Sequence, residues 1–173
     1  MKFIEITDLK SANDLRQLYI ESFIPAERID FEDLFSGVFK DFQMVCLYND
    51  SDILVGMMHY IVKENFIHLN YFAMSPKFRG QGFGSMCLSW LKETYGNKPI
   101  VVDIEEEDEH ADNNDYISLR KKFYGKNGLT LGEYTFHWNG VFMTYMHTGS
   151  INSDEFMKHI THIFPTIIDI QKR

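Results

Sequence analysis

The sequence predicts an α/β protein built on a mixed, mostly antiparallel sheet flanked by helices. A strand-like run, Phe66 to Met74, leads into the glycine-rich hexapeptide Arg79-Gly80-Gln81-Gly82-Phe83-Gly84 and then a helix-like run from Ser85 to Glu93. Ahead of that unit, β-rich runs are separated only by short polar breaks, which is the pattern of an antiparallel meander. Behind it, strand and helix patterns alternate with no repeat, low-complexity tract or interdomain linker.

In chain order, Lys2 to Ile6 reads as the first strand. Asp14 to Phe23 has the apolar spacing of a helix and stops before Pro25, because a residue ahead of proline is pushed out of the helical region. A second short helix is predicted over Phe31 to Phe39. Phe42 to Tyr48 and Ile53 to Val62 are strands joined by Asn49, Asp50, Ser51 and Asp52, whose side chains favour turns. Phe66 to Met74 completes the meander. Pro99 to Ile104 reads as a buried strand, and the strand, helix, strand order places two parallel neighbours at the sheet centre. Asn114 to Lys126 is a helix stopped by Asn127 and Gly128. Leu129 to His137 and Val141 to His147 form a hairpin across Asn139 and Gly140, a favoured two-residue turn. Ser153 is expected to cap a last helix with Asp154 and Glu155 in its first turn. This C-terminal helical extension, residues 151–173, carries Ile163, Phe164, Ile167 and Ile168 and covers the domain edge or a partner subunit in a homodimer.

At 173 residues and 45% hydrophobic content the chain is long enough for one continuous core, so a single domain over residues 1–173 is expected. A formal net charge of −8 weighs against nucleic acid as partner and favours cationic or neutral substrates. Met1 to Ile6 has no basic leader pattern, and no run approaches the roughly eighteen apolar residues of a membrane span. A cytoplasmic protein without a membrane partner is therefore expected. Cys46 and Cys87 sit in apolar contexts without metal-ligand spacing and read as reduced core residues.

The glycine-rich loop carries the chemistry. A helix N-terminus leaves backbone N–H groups unpaired and positively polarised, and glycines let a phosphate approach the main chain. A Walker loop is excluded, because no Lys-Ser or Lys-Thr pair follows the glycines. The dinucleotide fingerprint departs at Ser85, where it needs glycine, although Asp103 on the next strand matches its acidic partner. Arg/Gln-x-x-Gly-x-Gly/Ala fits without adjustment through Arg79, Gly82 and Gly84. In this motif and in element order up to about His147, the chain resembles the GNAT superfamily, the Gcn5-related N-acetyltransferases.

The resemblance implies a sheet splayed between its fourth and fifth strands, acetyl-CoA as acetyl donor, and a primary amine of a small molecule or peptide as acceptor. It implies that Phe72, Ala73 and Met74 face the pantetheine and acyl group. It further implies that N–H groups of Arg79, Gly80, Gln81, Gly82, Phe83, Gly84 and Ser85 receive the pyrophosphate. The segment Phe123 to Leu129 is similar to the family's Tyr-x-x-x-Gly-Phe signature, with Leu129 in place of the aromatic and Ile117 where an asparagine often stands. Tyr124 then falls on the tyrosine that protonates the departing CoA thiolate, a role suited to a phenol beside sulfur; otherwise it is a core aromatic beside Phe123. Arg120, Lys121, Lys122 and Lys126 either reach cofactor phosphates or form a solvated basic face.

A protonated alkyl amine must lose a proton before it attacks a thioester, since its pKa lies near 10.4, roughly three units above neutrality. Period-two alternation puts Phe66, His68, Asn70, Phe72 and Met74 on one face of their strand. His68 falls where the family resemblance implies a catalytic glutamate and is a candidate base, and Asn70 beside it is a candidate substrate contact. Glu105 is an alternative base, with Glu107 on the same side if the strand continues; their acidic run, Glu105 to Glu109, otherwise attracts a cationic acceptor. A metal site using His110 and Asp112 lacks the spacing of a calcium loop, and His159 with His162 lacks a third ligand, so no metal is expected. Glu27 and Arg28 follow the first helix and are candidates to orient the acceptor, or else pair with surface neighbours. The alternative to an enzyme is a CoA-binding regulatory module that keeps the loop without efficient chemistry.

Overall fold

The computed structural model describes residues 1–7, 12–107 and 114–173. The chain divides into two compact units, Met1–Lys98 and Pro99–Arg173.

The first unit is a four-stranded antiparallel meander of β1 (Lys2–Glu5), β2 (Gln43–Tyr48), β3 (Leu54–Val62) and β4 (Ile67–Met74). Between β1 and β2 lie α1 (Asn13–Ser22) and short 3-10 turns at Pro25–Glu27, Phe31–Phe35 and Gly37–Phe39. Alternation along the strands sorts their side chains onto two faces. Met44, Cys46, Met57, Tyr71 and Ala73 pack with Leu15, Leu18 and Tyr19 of α1 and with Phe31 and Leu34 of the turns. Across the sheet, Tyr60 meets Tyr95 at the end of α2 (Phe83–Thr94), and Phe3 stacks on Trp90 of that helix at 4.6 Å. The single helix expected over Phe31 to Phe39 is broken in two, because Gly37 takes φ +55°. The turn after β2 forms as its sequence predicts: Asn49 Oδ1 accepts from the amides of Ser51 and Ile53 at 3.0 and 2.9 Å.

The second unit is also antiparallel, in the order β5 (Ile100–Glu105), β7 (Val141–His147), β6 (Thr130–Trp138) and β8 (Ile168–Lys172). The helices α3 (Asn114–Lys126) and α4 (Ser153–Ile163) accompany it. Asn139 and Gly140 take φ +48° and +81°, as the predicted β6–β7 hairpin requires. Two expectations for the C-terminus are corrected. Asn152, not Ser153, caps α4, its Oδ1 accepting from the Glu155 amide at 3.1 Å. Helix also ends at Ile163, ahead of Pro165, and Ile168–Lys172 pairs with β6 as an edge strand instead of extending the helix. Among the described residues no helix is long and apolar enough to cross a membrane.

Candidate active site

β4 ends at Met74, the turn Pro76–Phe78 follows, and α2 begins at Phe83. In the intervening loop Gly80 and Gly82 have φ of +74° and +86°, a region that costs other L-residues about 1–2 kcal/mol. A Cβ at either position would meet nothing within 4 Å. The backbone twist therefore demands glycine, and the space beside the main chain stays open. Gly82 is the N-cap of α2 without a side-chain hydrogen bond, and the first intrahelical bond runs from the Met86 amide to the Gly82 carbonyl at 3.0 Å. The amides of Phe83, Gly84 and Ser85 precede that bond and sit at the positive end of the helix dipole, an arrangement suited to an anion.

Side chains hold this loop from within. Gln81 Nε2 donates to the Lys77 carbonyl at 2.9 Å, and the Phe78 and Phe83 rings meet edge to face at 6.1 Å. Arg79 donates Nε to the Met74 carbonyl at 3.0 Å, and its outer guanidinium N–H groups have no partner among the described residues. At the end of β4, Met74 pairs with Gly56, where a Cβ would come within 1.8 Å of Met74 Cε. Glycine at 56 is what admits the methionine.

The face expected for His68 is corrected by a bulge. Tyr71 pairs with His59 and Leu69 with Tyr60, which leaves Asn70 as an extra residue in β4 and resets the alternation. His68, opposite Ile61, joins His59, Tyr71 and Ala73 on the α1 face, while Phe72 and Met74 lie on the α2 face. His68 is fully buried, its ring 6.0 Å from that of Phe42. On the same side, the loop carrying Glu27 and Arg28 is clamped twice. Tyr71 Oη donates to the Glu27 carbonyl at 2.6 Å, and Tyr19 Oη donates to the Ile29 carbonyl and accepts from its amide, both at 2.9 Å. Glu27 is buried and Arg28 half-buried.

In the second unit, α3 carries Tyr124 as a buried side chain whose hydroxyl has no hydrogen-bond partner among the described residues. Burial pushes its pKa up to about 12, against a lowering by Arg120 and with a further rise from Asp103. Glu105, 4% exposed at the end of β5, is ion-paired with Arg120, one helical turn before Tyr124. Glu106 takes both Lys121 and Arg173. Arg120 and Lys121 thus neutralise carboxylates of their own unit, so two of the four cations weighed between phosphate contact and a solvated face are held in ion pairs. Because β5 ends at Glu105, the expected shared side for Glu105 and Glu107 is not formed: Glu105 is buried and Glu107 exposed. The rest of the acidic run, with His110 and Asp112, lies outside the described residues. Among the described residues, no three His, Cys, Asp or Glu side chains are grouped to hold a metal ion.

The model of the acetyltransferase (GNAT) family matches residues 12–125, more than half of the chain. The chain belongs to the GNAT family. A structure described as an acetyltransferase of the GNAT family from Bacteroides thetaiotaomicron is similar at TM-score 0.74 and 24% identity, over 96% of this chain and 98% of that one. An aminoglycoside 6'-N-acetyltransferase solved with coenzyme A is similar at TM-score 0.64 and 16% identity, over 88% and 98%. Escherichia coli ElaA is similar at TM-score 0.59 and 14% identity, over 86% and 100%. At these identities the three share the GNAT fold with this chain. No curated protein matches the sequence.

Within this GNAT protein, the first unit gathers the glycine loop, the end of β4, His68, Asn70, Glu27 and Arg28; the second holds Tyr124, Glu105 and Glu107. Sequence reasoning passed over His59, Tyr19 and Tyr71, which order the β4 bulge and the loop after α1. A histidine amid the apolar run of Leu54–Val62 was the available signal for the first of these.

Proposed function

We infer that this GNAT protein is an N-acetyltransferase that carries an acetyl group from acetyl-CoA to a primary amine. The observation that carries this reading is the loop before α2: two left-handed glycines with open space beside them, amides at a helix start, and an Arg79 guanidinium with free N–H groups. A pyrophosphate matches that donor set in charge and hydrogen-bonding type. Acetyl-CoA, when bound, supplies the acyl thioester. Tyr124, kept protonated by burial, is the acid for the departing sulfur. His68 and Glu105 are the two candidates for taking the amine proton; both are buried, so either acts through water. The amine nitrogen forms the new bond to the acyl carbon as the carbon–sulfur bond breaks, one proton leaving nitrogen and one reaching sulfur. Glu27, Arg28, Asn70 and Glu107 are assigned to the acceptor, with a net charge of −8 favouring a cationic one.

Calorimetry with acetyl-CoA, with NAD as control, tests the donor. Micromolar acetyl-CoA binding that is lost in an Arg79→Ala/Gly82→Ala variant supports the reading; preference for NAD or no binding rejects it. Acetyl-dependent CoA release with a panel of primary amines then separates an enzyme from a CoA-binding regulatory module, which would bind the donor and release nothing.

A further inference from the structure

The bulge in β4 sets one side chain in a defined orientation. Asn70 is the residue of β4 without a partner in β3, and bulges commonly re-aim side chains in this way. Its Nδ2 lies 3.1 Å from His59 Nδ1, and His59 Nε2 lies 3.1 Å from the Leu34 carbonyl oxygen. A carbonyl can only accept, so Nε2 carries a proton. His59 is fully buried between the stacked Phe42 ring at 4.8 Å and the neighbouring His68, a setting that excludes a second ring proton, and burial brings its pKa down to about 3. Nδ1 is then a bare lone pair, and only the amide NH2 of Asn70 can face it.

This settles the direction of the other end of the amide. Asn70 Oδ1 is turned away from His59 and has no hydrogen-bond partner among the described residues, on a side chain that is only half-buried. A carbonyl backbone group in a 3-10 turn thereby fixes, through one imidazole, an accepting oxygen at the strand bulge.

We propose that the Leu34 carbonyl, His59 and Asn70 form a relay in which Asn70 Oδ1 accepts a hydrogen bond from the attacking nitrogen of the acceptor amine. The proposal rests on the amine-acetylation reading above and narrows it. The acceptor must keep an N–H besides the lone pair that attacks, so primary and unhindered secondary amines qualify and tertiary amines do not. Aligning one N–H aims the lone pair. As nitrogen bonds to carbon it becomes cationic, and a hydrogen bond from a charged donor is roughly twice as strong as a neutral one. The contact therefore favours the transition state over the bound amine. Asn70 is the residue that touches substrate; His59 is a positioning residue.

The test combines a spectroscopic and a kinetic readout on the full chain. In 15N NMR of the wild type, His59 should be protonated at Nε2 and bare at Nδ1 from pH 5 to pH 8, with the Asn70 side-chain NH2 hydrogen-bonded; a Nδ1-protonated ring overturns the relay without any variant. For kinetics the probe is the amine best turned over from a panel of a diamine, a polyamine, an aminoglycoside, an amino-acid ester and a lysine peptide. Asn70→Ala should lower kcat/KM for that amine about tenfold, the effect of one charge-assisted hydrogen bond, while acetyl-CoA affinity stays within about twofold. His59→Phe, which keeps an aromatic ring against Phe42, should give a similar loss, and the double variant should lose no more than either single one. Unchanged amine kinetics in Asn70→Ala, or additive losses, overturns the proposal while leaving acetylation standing. A wild type that binds no acetyl-CoA or acetylates no amine overturns the underlying reading, and the relay's role falls with it.

Discussion

Tyr124 and His59 are held in opposite electrostatic positions by the same cause. Burial disfavours the charged form, which raises the phenol to about 12 and lowers the imidazole to about 3. Tyr124 therefore stays protonated throughout the neutral range, and its own ionisation should not limit turnover below about pH 10. Tyr124→Phe should cut kcat by about 100-fold or more, within the range for a lost general acid, with acetyl-CoA affinity preserved; unchanged turnover across pH would remove Tyr124 from the mechanism. His59 gives a stability prediction. Its folded pKa is below the unfolded value, so the unfolded chain binds the extra proton, and the contribution present above pH 6.5 is lost as pH falls toward 3. The protection factors of β3 and β4 amides, exchange rates corrected for the intrinsic pH dependence, should fall over that window. His59→Gln should show a flatter acid limb there, and an identical limb would assign the acid loss to other groups.

At the level of elements, glycines divide by what they avoid. A Cβ on Gly132 in β6 would lie 2.0 Å from the Tyr145 ring, whose hydroxyl already accepts from the Glu133 amide at 3.1 Å and whose ring packs on Phe156 at 4.8 Å. Gly132→Ala should cost about 1–3 kcal/mol through overpacking and should displace the Tyr145 ring, whereas Gly140→Ala, with open space but φ +81°, should cost about 1–2 kcal/mol from the backbone alone and leave Tyr145 in place. Chemical denaturation measures both losses, and an unshifted Tyr145 ring signal in Gly132→Ala would contradict the distinction. The same elements show what the sequence made legible. Asn139 and Gly140 encode their turn locally, and α1, α3 and β7 are readable from spacing, because each depends on short-range pattern. The glycine loop is readable because its motif and its left-handed φ ask for the same residue at Gly82. The bulge at Asn70 is set by pairing with β3, which no periodicity within β4 contains, and it moved His68 to the other face. β8 was hidden for a related reason: Ile163, Phe164, Ile167 and Ile168 keep a helical spacing, and Pro165 together with pairing to β6 overrides it. Arg120 as the partner of Glu105 likewise depends on tertiary placement of α3 against β5.

For the molecule as a whole, the two substrates proposed above would meet the same charge with opposite signs. A net charge of −8 repels an anionic CoA ester at long range and attracts a cationic amine. Binding of the anion must then come from short-range donors, the amides at the start of α2 and the free N–H groups of Arg79. Salt separates these contributions, because the Debye length falls from about 30 Å at 0.01 M to about 8 Å at 0.15 M. Long-range attraction and repulsion are screened over that interval, while contacts at hydrogen-bond distance are screened much less. KM for a cationic amine should therefore rise severalfold between those ionic strengths, and KM for acetyl-CoA should stay level or fall slightly, since screening weakens a repulsion and an attraction together. A neutral-at-assay-pH amine of similar size provides the control and should show no rise. If acetyl-CoA weakened as steeply as the cationic amine, its binding would depend on a diffuse basic surface, and the loop before α2 would lose its place as the main source of cofactor affinity.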